Sequence, residues 1–241
     1  MRAIVSVAAL VVIGLPRVRH LAPTVAAGVA IVLGYYGATT LGYAIAPATI
    51  ASLGLASEPL VVGLLNPHWL RSPRTLATVT LAVAAMVLPV TAAHAGTHHV
   101  VAGIGLVALG GACFVIGARL LPASATPRDA VRTTTFAQAL GAIVLAAVLA
   151  GTGRFAVATT IEPWLLVAVL VAGSSLVGIA LYVGAARDAP AIAASSLSLV
   201  PPLGAALAWG ALGDPMTWQL ALSAIVAALA VYLGARSPTV P

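Results

Sequence analysis

The chain is built from apolar runs that do not alternate with polar residues, and this confines it to one kind of fold. Hydrophobic residues make up 61% of its 241 residues and charged ones 7%, with a mean hydropathy of +1.12, so no polar shell can enclose a soluble core. A bilayer core offers no water to unpaired backbone groups, which leaves helices or a closed barrel. Barrel strands alternate between lipid and lumen. These runs do not, so the expectation is an all-α integral membrane protein whose spans each need roughly 20 apolar residues.

Taken in order, Met1–Leu15 is too short to cross comfortably and is stopped by Pro16 and the cluster Arg17, Arg19, His20. Its charged start and short apolar core have the outline of a secretory signal, but no small-x-small cleavage site followed by soluble sequence accompanies it. Spans are expected at Ala22–Tyr43, Pro47–Leu65, Thr75–Ala93, His99–Leu121, Val131–Gly151, Trp164–Gly184, Pro190–Gly210 and Met216–Leu233, nine segments with the short one. Ser72-Pro73, Glu162-Pro163 and Asp214-Pro215 each read as a helix N-cap followed by proline at the first helical position. Trp69, Trp164, Trp209 and Trp218 lie near predicted ends, where indole rings sit at headgroup level. Ala26, Ala30, Gly34, Ala38, Gly42 and Ala46 recur every fourth residue, a stripe that lets a second helix approach closely.

The segment Pro47–Leu65, PATIASLGLASEPLVVGLL, returns 143 residues later as PAIAASSLSLVPPLGAALA, Pro190–Ala208, with seven of nineteen positions identical. Pro47 falls on Pro190 and Pro59 on Pro202, the same twelve-residue separation in both copies. The chain is therefore read as two related halves, residues 1–93 and 94–241. All eleven basic residues are arginine. They are scattered through short loops, so the pI of about 10.5 reflects membrane topology and no nucleic-acid partner is expected. Placing Arg17 and Arg19 in the cytoplasm gathers Arg71, Arg74, Arg119, Arg128, Arg132, Arg187 and Arg236 on the same side, nine against Arg2 and Arg154. The C-terminus is then cytoplasmic, and the helix from Ala22 runs opposite to its counterpart from Trp164. Inverted repeats of this kind are a hallmark of secondary transporters.

With these residues in view the chain resembles the drug/metabolite transporter superfamily, EamA-like branch, over nearly its whole length. The likeness is strongest from Ser174 to Arg236, and Glu58-Pro59 resembles that family's recurring acid-proline pair. Gly213-Asp214 stands where a Gly-Glu turn is usual, while the first half has Leu70-Arg71 and no acid there. The resemblance implies ten helices in two inverted five-helix repeats, a central cavity at the repeat interface, and gradient-driven movement of small metabolites, with export the expected direction. It implies the cytoplasmic membrane, a proton or other coupling ion, no cofactor, and leaves a homodimer open. In that family an arginine sits near the start of the second helix, and Arg2 with AIVSVAALVVIGL resembles that helix entered partway along. The expectation is that the first helix lies upstream of Met1 and that the first repeat has a groove in its place.

Glu58 lies eleven residues from Pro47, about 17 Å along a helix and so near the middle of a core of about 30 Å. An ionised carboxylate there costs several kcal/mol unless it meets water, a partner or a proton, which makes it a coupling candidate. Pro59 and Pro202 remove helical hydrogen bonds and are expected to kink their helices. Tyr35, Tyr36 and Thr40 on one span, and Ser174, Ser175 and Tyr182 on its twin, are candidates to line a cavity, as is Gln138; hydroxyls bonded to their own helix are the alternative. His94, His98 and His99 crowd one loop without carboxylate or thiolate company, so no metal site is expected. Cys113 has no cysteine to pair with.

Paired aspartates for a prenyl diphosphate, HExxH, GxSxG and a lysine-bearing phosphate loop are all missing from the sequence, which argues against an enzyme. A non-transporting assembly protein or an inactive shortened transporter fits the hydropathy equally well. With one buried acid and no buried arginine, strongly anionic cargo is disfavoured. The arginine count makes a topological prediction. In a Cys113→Ser background, Ser124→Cys and Ser237→Cys should resist impermeant thiol reagents in intact cells, while Thr97→Cys reacts; the reverse labelling pattern would refute the inverted repeat.

Overall fold

A computed structural model describes residues 2–16, 21–65, 71–88, 97–121, 126–153, 160–170 and 217–235, with the single positions 173, 178, 182, 206, 209, 210 and 213. Every regular element among them is helical. These are α1 (Arg2–Ile13), α2 (Leu21–Val29), a π-helical segment (Ala30–Gly37), α3 (Ala38–Ile45), α4 (Ala48–Ala51), a 3-10 segment (Ser52–Ser57), α5 (Glu58–Leu65), α6 (Pro73–Val87), α7 (Thr97–Leu120), α8 (Pro127–Gly151), α9 (Ile161–Leu170) and α10 (Trp218–Ala235). Among the described residues, three stretches are long and apolar enough to cross a membrane: Leu21–Ile45, His99–Leu120 and Arg128–Gly151. The protein is a helical membrane protein. Val11, Leu41, Leu109, Val169 and Ile225 are all more than half exposed, as expected where lipid is the solvent.

Several boundaries move for identifiable reasons. α1 stops at Ile13 because Gly14 takes a left-handed φ of 84° and its N–H donates to Leu10 O at 2.8 Å, with Pro16 barring continuation. α8 begins at Pro127, four residues before the expected Val131, because Thr126 caps it. The Thr126 hydroxyl accepts from Asp129 N–H at 3.1 Å and donates to Asp129 Oδ2 at 2.8 Å. Ser72 does stand at the N-cap of α6 with Pro73 behind it. Glu162, by contrast, lies inside the first turn of α9, since that helix starts at Ile161. The expected cap at Asp214 falls outside the described residues, as does most of the second proline-rich segment.

The every-fourth-residue stripe is only partly realised. Gly42 and Ala46 are buried, but Ala26 is exposed and its neighbours Ala27 and Gly28 are buried instead. The π segment between them pairs i with i+5, so its wider turn rotates the small-residue face away from a strict four-residue period.

The chain forms two compact units, Met1–Gly34 with Ile116–Gly184 and Tyr35–Val115 with Ala185–Pro241. In the first, α2 and α1 both pack on α8. The α2–α8 crossing is a backbone contact. A Cβ on Gly28 would overlap Ala137 O, and one on Gly141 would overlap Gly28 O, so only hydrogen fits at either position. Gly117 gives similar room to Ile31 and Ala27 O. Thr24, Thr134, Thr135 and Gln138 are buried in this unit, and Thr135 returns its hydroxyl to Val131 O at 2.8 Å. α1 is tied to α8 by Arg132, whose Nε donates to Ile13 O at 2.6 Å.

In the second unit α6 packs against α10, α5 and the 3-10 segment, and Ser223 Oγ donates to Ala85 O at 2.6 Å to join α10 to α6. α7 supplies the surface on which α3 and the α4–α5 segment lie.

The glycine crossing predicts a stability pattern. Gly28→Ala and Gly141→Ala should each cost roughly 1–3 kcal/mol by overpacking, and the double variant less than the sum because both act on one contact. Gly105, which has nothing within 4 Å of its missing Cβ, is the control: Gly105→Ala should be neutral or stabilising in mid-helix. Unfolding of the purified protein in mixed micelles measures all four.

Candidate functional site

The expected continuous helix Pro47–Leu65 is broken in three, and Pro59 is the reason. Proline has no N–H to offer Leu55 O, and its ring would collide with that carbonyl in a regular α-helix. The Leu55 carbonyl accepts from Glu58 N–H instead, an i→i−3 bond that tightens Ser52–Ser57 into a 3-10 turn. α5 then starts afresh at Glu58. At Pro59 the helix changes type, from the 3-10 segment to α5, just ahead of the proline. Its twin Pro202 lies outside the described residues.

Two ladders of close contacts seat this region on α7. Along one, residue numbers run in opposite directions: Gly103 faces Ala46 and Gly42, Val107 faces Gly42, and Gly110 faces Thr39 and Tyr35 O. Along the other they rise together. Gly54 lies against Ile104 O and Ala108 N, Ser57 Oγ donates to Ala108 O at 3.4 Å, and the Glu58 side chain rests on Gly111. A Cβ on Gly111 would come to 2.8 Å from Glu58 Cγ and 3.2 Å from Oε1. Ala46, Ala51, Leu55, Val107 and part of Tyr35 close the apolar packing around this seat.

Glu58 itself is 2% exposed, and its Oε2 has no hydrogen-bond partner among the described residues. No described cation offsets its burial. The phenol of Tyr43 lies within electrostatic reach. Such a carboxyl is costly to bury charged, so it has to hold a proton or meet an ion, a ligand or water to become charged.

The remaining candidates distribute as follows. Tyr35 comes to the same stretch of α7 as Glu58, with its ring 5.2 Å from Phe114 and 4.9 Å from Tyr36. Tyr36 is half-buried. Thr40 is exposed, and its neighbour Thr39 is the buried hydroxyl, donating to Tyr35 O at 2.6 Å. Gln138 is 1% exposed and belongs to the other compact unit, beside the Gly28 crossing. Tyr182 is half-buried in that unit. Ser174 and Ser175 lie outside the described residues. His99 is exposed, His94 is outside the described residues, and no group of three or more metal-binding side chains occurs among those described.

The sequence reading passed over Thr39, Ser57, Tyr43 and the pair Gly110-Gly111. The glycines carried a usable signal, since adjacent glycines inside an apolar span weaken a helix unless something packs there. No protein-family model, no curated protein and no solved structure matches the chain.

The seat on Gly111 can be tested directly. Gly111→Ala should push the Glu58 carboxyl from its place and raise its rate of modification by an apolar carbodiimide severalfold, whereas Gly105→Ala should leave that rate unchanged. Peptide mass spectrometry of the modified Glu58 reads the outcome.

Proposed function

We propose that the protein is a secondary transporter of small neutral, zwitterionic or cationic metabolites, with Glu58 as its coupling group. The observation that supports this most is the buried Glu58 carboxyl, with one oxygen lacking a described partner, at the start of a helix broken within an apolar segment. A structural acid would be expected to have both oxygens satisfied or to face water. Transporters place irregular backbone at membrane depth where it lines a substrate or ion path, and their discontinuous helices carry the coupling groups.

In this reading Glu58 alternates between a protonated form sealed on Gly111 and an ionised form that meets water or cargo when the broken segment shifts. The 3-10 segment is the element able to move, because i→i−3 pairing is weaker than α pairing and easily exchanged for it. Tyr35 and Tyr36 offer aromatic faces to cationic or zwitterionic cargo beside the acid. The repeat read in the sequence, the arginine count and the EamA-like resemblance support the same proposal, in the cytoplasmic membrane with the C-terminus inside.

Glu58→Gln keeps the volume and hydrogen-bonding capacity of the side chain while removing its titration. In everted vesicles, Glu58→Gln should insert normally and lose pH-gradient-dependent uptake of the cargo found by a metabolite panel. Unaltered gradient dependence would return Glu58 to a structural role.

A further inference from the structure

The unit formed by α1, α2, α8 and α9 carries an apolar groove of about 440 Å³ between α1 and α8. Val7, Val11 and Leu15 line it from one side and Phe136, Leu140 and Ile143 from the other. Much of that lining is open, with Val11 81%, Leu15 69% and Ile143 51% exposed. A charge stands beside it at Gly14. Gly14 also lines the groove, and a terminal nitrogen of Arg132 stands 3.2 Å from where a Gly14 Cβ would be. Arg132 lies four residues before Phe136, and therefore on the same face of α8.

We propose that this groove is a binding site for one anionic phospholipid, with the phosphate at Arg132 and an acyl chain along α1 and α8. Three features select that occupant. The Arg132 guanidinium uses Nε for Ile13 O and the nearby Asp129 directs Oδ2 to Thr126, so no described carboxylate answers the Arg132 charge. The groove is hydrocarbon-lined along its length, so its occupant carries charge at one end alone. The eleven helical rises from Arg132 to Ile143 cover about 17 Å of helix, which matches one leaflet, half of a core of about 30 Å. Basic pockets between transmembrane helices commonly hold anionic headgroups. A second protein helix laid in the same groove would bury Arg132 without neutralising it.

The test uses the full chain in nanodiscs containing trace phosphatidylglycerol or phosphatidylcholine, each with a diazirine in the acyl chain. Crosslinked peptides are mapped by mass spectrometry. The proposal expects labelling of residues 5–15 and 136–143, at least fivefold stronger with phosphatidylglycerol. Arg132→Gln should bring the two lipids to near parity and Arg132→Lys should keep the preference. Ile143→Trp, which fills the groove from an exposed position, should cut labelling of these peptides severalfold. Equal labelling by both lipids would overturn the proposal. So would equal loss in Arg132→Gln and Arg132→Lys, which would make Arg132 only a clamp on Ile13, or disulfide dimers from Val11→Cys in a Cys113→Ser background, which would make a second copy the occupant.

Discussion

Close backbone approach at glycine is the contact on which each compact unit depends. Lipid tails are as apolar as leucine, so helices in a bilayer gain little by burying apolar side chains against one another. What holds them is dispersion between surfaces close enough to touch, and that needs positions without a Cβ. Gly28 and Gly141 provide this at the α2–α8 crossing, where Gly28 faces the Ala137 carbonyl and Gly141 faces the Gly28 carbonyl. In the second unit Gly103 and Gly110 do the same toward α3 and Gly111 toward Glu58, and Gly42 and Gly54 answer from the segments laid on α7.

The same contacts prepare the setting of Glu58. Because Gly54 brings the 3-10 turn against the α7 backbone, the first residue of α5 reaches α7 at Gly111 with no room for solvent. Pro59 and Gly111 therefore act together although one breaks a helix and the other only leaves space. The proline frees Leu55 O for Glu58 N–H, and the glycine gives the carboxyl a floor. An acid placed this way gains little from the described groups around it as an anion, and that is the ground on which the proposed coupling role of Glu58 stands.

Much of this was readable from residues alone, and the failures have physical causes. The apolar runs located the helices, and Pro59 marked the break within the Pro47–Leu65 segment, because hydrogen bonding in a bilayer is local and obligatory. The four-residue stripe misassigned Ala26 because a π segment is a cooperative backbone choice with no reliable residue signature. Thr39 and Thr40 are indistinguishable by sequence; the phase of the helix after the π turn makes Thr39 the buried one. Glu162 looked like a cap because a polar residue before proline usually is one, yet Ile161 already begins that helix.

The sequence by itself determined that this is a helical membrane protein and that its one acid within an apolar span stands beside a helix-breaking proline. Those properties follow from transfer energies and backbone chemistry, which act residue by residue. Only the tertiary structure decided that Gly111 is the floor beneath Glu58, that Tyr35 shares that stretch of α7 while Gln138 belongs to the other unit, and that Arg132 stands against Gly14 beside an apolar groove. These depend on which faces meet at a helix crossing, and a crossing is fixed by sub-ångström fit between two surfaces far apart in the chain.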